Sequence, residues 1–240
     1  MKSPRNVQGN AVAGIIQTVK QFRSEGIEGY FAIKYAEFAG DTPIIQEAYA
    51  NLAGRVTAVI SEGTFLEVGP GPAFVSIEIA RRIPRAQIVG LDISETMIGI
   101  GKRNVAGAGL SEQITFRRGN AVATPFADAE FDFVVSSGSL HHWSKPIEVF
   151  EEIYRVLKPG QPALVYDVRK DAPKEKVDEF SHHIRSWFMR WGLRHSVGES
   201  YTQQDIEELL NRTRFKEPER IELDDLGMFI WLRRPTSPPS

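Results

Sequence analysis

Apolar and polar positions along the chain fall into two regimes. Through roughly the first sixty residues the apolar positions recur at helical intervals: from Ala11 onward Ile15, Ile16, Val19 and Phe22 share one face, and Phe31 to Phe38 and Ile44 to Ile60 read as further helices. Asp41-Thr42-Pro43 between these two predicts an N-cap followed by proline in the first turn. From Thr64 the texture changes to short apolar runs alternating with helical stretches. Strands are predicted at 64–68, 86–91 (closing on Asp92), 113–117, 131–136 and 163–167, and helices at 73–83, from Ser94 to about Ala106, and at 147–157. This alternation predicts a parallel sheet with helices on both faces. After Asp167 the order breaks. A helical insertion rich in aromatics is predicted at 174–191 and another helix at 203–212. Two strand-like runs, Arg220 to Leu223 and Met228 to Leu232, then flank Asp224-Asp225-Leu226-Gly227. Strands so close together must be antiparallel, because a parallel crossover takes a dozen residues or more.

Composition narrows the class. The chain has 240 residues, enough for one domain with a full core, and its 42% hydrophobic and 25% charged residues are ordinary for a soluble globular protein. A formal charge of -2 sets up no global field toward nucleic acid or acidic membranes. No apolar run approaches the roughly 18–20 residues of a membrane span, and Met1 to Asn10 lacks the apolar core of a signal peptide. The absence of cysteine excludes disulfides, thiolate metal sites and cysteine nucleophiles. The expectation is a cytoplasmic protein of one domain. Pro235 to Ser240 and the first six residues offer nothing apolar to bury.

The chemistry centres on Glu67-Val68-Gly69-Pro70-Gly71-Pro72-Ala73, between a predicted strand and a predicted helix. Glycines there allow a sharp turn and close approach of a ligand to bare backbone, and the helix N-terminus presents unpaired N–H groups. Asp92 follows at the end of the second strand, about 20 residues on, where a carboxylate can accept from the ribose hydroxyls of an adenosine-containing cofactor. Its plain alternative is a helix cap, since Asp92-Ile93-Ser94-Glu95 also reads as a helix start. A dinucleotide fingerprint wants a third glycine where this chain has Phe74, which argues against a nicotinamide-dependent oxidoreductase.

Read as Glu67-x-Gly69-x-Gly71-x-Ala73, the loop resembles the first motif of class I S-adenosylmethionine-dependent methyltransferases, an acid followed by Gly-x-Gly-x-Gly, with Ala73 in place of the last glycine. Gly90 to Met97 looks like the second motif. The resemblance implies that Asp92 holds the ribose, with Ile93 alongside, and that Met97 packs on the adenine, although a methionine here also suits plain core packing. Gly119-Asn120-Ala121 is similar to the third motif, usually Gly-Asp-Ala. There Asn120 would accept from the adenine amino group through its amide oxygen, beside Ala121, or else be an ordinary turn asparagine. Phe131 to Trp143 resembles the fourth motif, which implies that Ser137 and the loop beyond it lie near the reactive end of the cofactor. Ile153 to Gly160 matches the family's helix-to-strand turn. The similarity runs from Thr64 to about Asp167 and is greatest to the branch containing quinone-biosynthesis C-methyltransferases.

The resemblance implies an α/β fold: a doubly wound, mostly parallel seven-stranded sheet with an antiparallel last strand, helices on both faces, and helical N-terminal and inserted lid elements. Within a single methyltransferase domain, 7–61 would be N-terminal lid elements, 62–170 the cofactor-binding core, 171–200 the helical insertion, and 201–234 the last helix and hairpin. The implied function is transfer of a methyl group from S-adenosyl-L-methionine to a small-molecule acceptor. A non-catalytic S-adenosylmethionine-binding protein is the alternative, and the oxidoreductase a more distant one. Tyr30, Tyr35 and Trp187 are expected in the lid, with Phe31, Phe38, Phe188 and Trp191, although aromatics at helical spacing also suit a core. His141 and His142, after the fourth strand, are candidates for a general base; the alternative is that they pack and orient the loop. His182 and His183 read as solvated or packing residues, and no metal constellation is placed. The acidic balance and Ser137-Gly138-Ser139-Leu140, unlike the Asn/Asp-Pro-Pro-aromatic motif of enzymes that methylate nucleobase amino groups, argue against nucleic acid. Whether carbon, oxygen or nitrogen is methylated stays open, as does the oligomeric state.

Overall fold

Both faces of the central strands are apolar, and that fixes the layering. In a strand successive side chains point to opposite faces. Phe65, Phe133, Val135, Leu164, Phe229 and Trp231 enter one core, while their neighbours Leu66, Val134, Ala163, Val165, Ile230 and Leu232 enter another. A sheet apolar on both sides must be covered on both. The computed structural model describes residues 26–236 and has this arrangement. The expected helical face of Ile15, Ile16, Val19 and Phe22 lies outside the described residues.

Seven strands form one sheet: β1 (Gly63–Val68), β2 (Ala86–Asp92), β3 (Ile114–Arg118), β4 (Phe133–Ser137), β5 (Pro162–Val168), β6 (Arg220–Leu223) and β7 (Gly227–Arg233). Their order is β3-β2-β1-β4-β5-β7-β6. The pairs from β3 to β5 are parallel, whereas β7 runs antiparallel to both β5 and β6, as expected for the closing hairpin. β4 starts two residues later than its apolar run, because Phe131 makes an isolated bridge with Leu157 instead.

Helices α1 (Gly29–Asp41) and α2 (Pro43–Thr57) precede the sheet. Thr42 sits in the cap position with Pro43 in the first turn, but its hydroxyl donates to the Phe38 carbonyl at 2.6 Å rather than capping α2. It thereby satisfies a carbonyl at the end of α1. α3 (Phe74–Arg82) and α4 (Glu95–Gly107) follow β1 and β2, and α5 (Pro146–Val156) links β4 to β5. Leu52, Ala53 and Val56 of α2 with Val75 and Ile79 of α3 cover the first core. Val149, Phe150 and Ile153 of α5 cover the second, together with Ile206, Leu209 and Leu210 of α8 (Gln203–Asn211).

The insertion is two helices rather than the expected one, α6 (Lys174–His182) and α7 (Trp187–Glu199). The break falls at Ser186, whose hydroxyl accepts from the Met189 N–H and so starts a new helix. A serine inside an aromatic helical pattern is easily read as one more polar position. No helix among the described residues is long and apolar enough to cross a membrane.

Trp231 is the largest fully buried side chain and lies edge-on to Phe133, with ring centroids 6.5 Å apart. Trp231→Ala should cost about 3–5 kcal/mol of unfolding free energy, through lost burial and the cavity left behind. Urea denaturation measures this, and a cost below about 1 kcal/mol would show that β7 does not anchor the sheet.

Candidate active site

The strand order reverses on either side of β1, with β2 on one flank and β4 on the other, which opens a crevice at the carboxyl ends of the strands. The chain crosses this crevice through Gly69 (φ 68°), Gly71 (φ 49°) and Ala73 (φ 65°), all left-handed. The two glycines do different things. A Cβ on Gly69 would lie 2.5 Å from Ser139 Oγ, so bare backbone there lets the loop after β4 rest on the glycine loop. A Cβ on Gly71 would meet only Met97 Sδ, at 3.9 Å, and would otherwise project into open space. Ala73 holds a conformation that costs an L-residue roughly 1–2 kcal/mol, which explains why glycine suits that position.

Asp92 joins the loop to the next helix. Its Oδ2 accepts from the Gly71 N–H at 3.1 Å and its Oδ1 from the Ser94 N–H at 2.8 Å. The cap of α4 is Ser94, whose Oγ accepts from Met97 N–H at 3.0 Å. Burial raises the Asp92 pKa, against the lowering effect of the two N–H donors. Glu67 is more deeply enclosed. Its carboxylate accepts from the Ser76 hydroxyl, and burial pushes its pKa up to about 7.

Two adjoining cavities share Gly69, Asp92 and Ser139. The larger, about 280 Å³, has Glu67, Gly69, Gly71, Asp92, Met97 and Ser137 in its lining. The smaller, about 50 Å³, is lined by Ile93, Asn120 and Ala121, with Trp143 across from them. All nine residues expected at the cofactor therefore face one crevice. Asn120 Oδ1 accepts from the Val122 N–H at 3.1 Å, the bond of an ordinary Asx turn, while the side chain still lines the smaller cavity.

The larger cavity also has a wall of Tyr35, Phe38, Tyr49, Phe180, Met189 and Leu193. Of the three expected lid residues, only Tyr35 is among them. Tyr30 and Trp187 are 66% and 75% exposed and line neither cavity. Helical geometry explains both corrections, at about 100° per residue. Tyr30 is five positions from Tyr35 and so lies well round α1 from it. On α7 the lining face is Met189, Gly192, Leu193 and Ser196, a spacing that leaves Trp187 outside. Phe74, in the place of a third glycine, stacks on Tyr49 with centroids 5.9 Å apart and forms part of the wall.

His141 and His142 lie in a short 3₁₀ turn, Leu140–His142, after β4, and both line the larger cavity. Their rings are 4.0 Å apart. Burial, with the neighbouring His141, pushes the His142 pKa down to about 3. His141 Nδ1 is 2.8 Å from Oδ1 of Asp167, a buried residue that the sequence marks only as the end of the fifth strand. Its signal was an acid closing an apolar strand, as Asp92 closes β2. Among the described residues no lysine or arginine lines the larger cavity and no group suited to a metal ion occurs.

The raised Glu67 pKa carries a signed prediction. The native state binds this proton more tightly than the unfolded chain, so its stabilising contribution is full below the ordinary value of 4.5 and is lost as pH rises through about 7. Without cofactor, the wild-type Tm should therefore fall relative to that of Glu67→Gln between about pH 5 and pH 8. Parallel Tm curves for the two proteins would mean that Glu67 is not held in a water-poor environment.

A family profile described as a methyltransferase domain matches residues 66–165. The chain is 29% identical over 183 residues to the demethylmenaquinone methyltransferase of Porphyromonas gingivalis, spanning 75% of this chain and 71% of that one. It is 31% identical over 163 residues to the enzyme of the same name from Listeria monocytogenes, spanning 66% and 68%. A crystal structure titled as an S-adenosyl-L-methionine-dependent methyltransferase from Methanococcus maripaludis superposes with a TM-score of 0.71 at 24% identity, over 89% of this chain and 94% of that one; it speaks to the fold alone. With the glycine loop, the acid after β2 and the reversed strand order, these likenesses lead to one conclusion: the chain belongs to the class I S-adenosylmethionine-dependent methyltransferases, in the family of the demethylmenaquinone methyltransferases.

Proposed function

We propose that Glu67, Gly69, Gly71, Asp92, Ile93, Met97, Asn120, Ala121 and Ser137 hold S-adenosylmethionine across the two joined cavities, and that the aromatic end of the larger cavity takes the acceptor. The observation that carries this reading is that these nine residues, from four separate stretches of sequence, line one crevice at the carboxyl ends of β1, β2 and β4. The groups fit the cofactor. Bare backbone at Gly71 leaves room for close approach, and the buried acids Glu67 and Asp92 suit an ammonium group and ribose hydroxyls. When bound, the cofactor supplies a methyl group activated by positive sulfur. The chain's part is to orient the acceptor and keep water out.

The acceptor wall is aromatic and aliphatic, without a cation to meet a phosphate or carboxylate. This supports an apolar ring compound, and demethylmenaquinone, which names the relatives, gives the first class to test. An enclosed crevice without basic residues does not suit nucleic acid. We read the chain as one methyltransferase domain working in the cytoplasm, with 62–170 as the cofactor-binding core, 7–61 and 171–200 as lid elements, and 201–234 completing the sheet.

Calorimetry with S-adenosylmethionine tests the placement. Wild type should bind, and Gly71→Val should stay folded and lose binding, since a branched side chain there would fill the cavity and oppose a positive φ. Equal affinities would remove the glycine loop from the site.

Asn120→Asp should keep or tighten binding, because the new carboxylate preserves the bond to Val122 N–H and offers a charged acceptor to the adenine amino group. A tenfold loss, about 1.4 kcal/mol, would give Asn120 a different role.

A further inference from the structure

Asp167 is an acid that nothing above employs. It is 1% exposed, and among the described residues no lysine or arginine pairs with it. A buried carboxylate in that position is costly unless N–H donors surround it. Three do: the Val168 N–H at 2.7 Å to Oδ1, the His141 N–H at 2.9 Å to Oδ2, and the His141 ring through Nδ1, 2.8 Å from Oδ1. Because both oxygens already accept from backbone N–H groups, the carboxyl group acts as an acceptor and Nδ1 carries the ring hydrogen. That assigns the lone pair to the other nitrogen, Nε2. Among the described residues this atom has no hydrogen-bond partner; it is buried, at the edge of a residue that lines the larger cavity, so a ligand's donor reaches it by a small shift of the surrounding side chains. An unpartnered buried acceptor in a binding cavity is a place for a ligand's donor.

We propose that Asp167 and His141 form a proton-accepting pair in which Asp167 positions the ring and His141 Nε2 takes the proton from an acceptor that presents an O–H or N–H group. The proposal rests on the reading that this cavity is the acceptor site. In the step, the acceptor's X–H bond breaks, its electron pair stays on X, and the proton moves to Nε2. The electron pair, on X or delocalised from it onto an attached ring carbon, forms the bond to the methyl group as the methyl–sulfur bond breaks with its pair on sulfur; where a ring carbon is methylated, that carbon's hydrogen then leaves as a proton to solvent and the ring is restored. The imidazolium that forms lies against the Asp167 carboxylate, which thereby gains its missing counter-charge, and the proton later passes to solvent. With no lysine or arginine among the described residues that line it, the cavity favours entry of the acceptor in its neutral, protonated form. His142 accepts a proton less readily, because burial and the neighbouring His141 disfavour its imidazolium, and its ring packs against His141.

Asp167→Asn tests the pair directly. The new amide would present an N–H to Nδ1, turning that nitrogen into the acceptor and moving the ring hydrogen to Nε2. Nitrogen NMR of the histidine-labelled full chain, with no acceptor present, should report an Nδ1–H ring for His141 in wild type and in Asp167→Glu, and an Nε2–H ring in Asp167→Asn. S-adenosylmethionine affinity should be the same in all three, which also reports an intact fold. Turnover is read anaerobically with 1,4-dihydroxynaphthalene, the reduced ring of a menaquinone, and methyl-labelled cofactor. His141→Asn and Asp167→Asn should lower kcat by roughly 10²–10⁴-fold with little change in KM, and Asp167→Glu should recover part of the loss. An Nε2–H ring in wild type, or full kcat in Asp167→Asn, overturns the pair. If wild type binds cofactor but leaves this probe unmethylated, the acceptor class in the proposed function falls, and the ring tautomer alone decides the pair.

Discussion

Two backbone N–H groups, from Gly71 and Ser94, converge on the Asp92 carboxylate at the end of β2, where almost no water reaches it. One bond fixes the turn out of β1 and the other the entry to α4, so one side chain ties together the loops that leave two paired parallel strands. The cost of removing that charge from water is offset only while both donors stay in place. The left-handed turns at Gly69 and Gly71, the contact of Ser139 on Gly69, and the opening of both cavities all lie within this frame. The order of the sheet creates a crevice; Asp92 gives it a definite shape.

Much of this was legible in the sequence, for reasons that belong to particular residues. β1, β4 and β5 could be read because both their faces are apolar, and β7 because no parallel crossover fits between Leu223 and Met228. Glu67, Gly69, Gly71 and Asp92 could be read because close approach to backbone and a strand-end carboxylate leave a pattern in the order of residues. The lid could not be read in this way. Tyr30, Tyr35 and Trp187 are alike as residue types, and only the rotation of α1 and α7 against the sheet separates the one that faces the cavity from the two that face water. Asp167 was hidden for a related reason: its meaning comes from a partner 26 positions away, brought close by the pairing of β4 with β5.

The charge pattern of the crevice follows from its burial. Glu67, Asp92 and Asp167 are all nearly sealed from water, yet among the described residues no lysine or arginine lines the cavity beside them. Each carboxylate is stabilised by hydrogen-bond donors instead: a serine hydroxyl, backbone N–H groups, an imidazole. A cavity built on donors rather than counter-ions keeps its negative character available for a positively charged guest.

The walls of the acceptor end come mostly from α1, α2, α6 and α7, whereas its floor comes from loops at the strand ends. Substitutions at Phe38, Phe180, Met189 or Leu193 alter the shape of the wall without touching a sheet hydrogen bond or the Asp92 bridge. The two parts of the molecule are thus free to change at different rates over evolutionary time. The glycine loop and the sheet resist substitution because they support one another, while the helical walls drift under weaker constraint. A lineage built on this chain could acquire new acceptors by remodelling its helical walls while keeping its methyl donor.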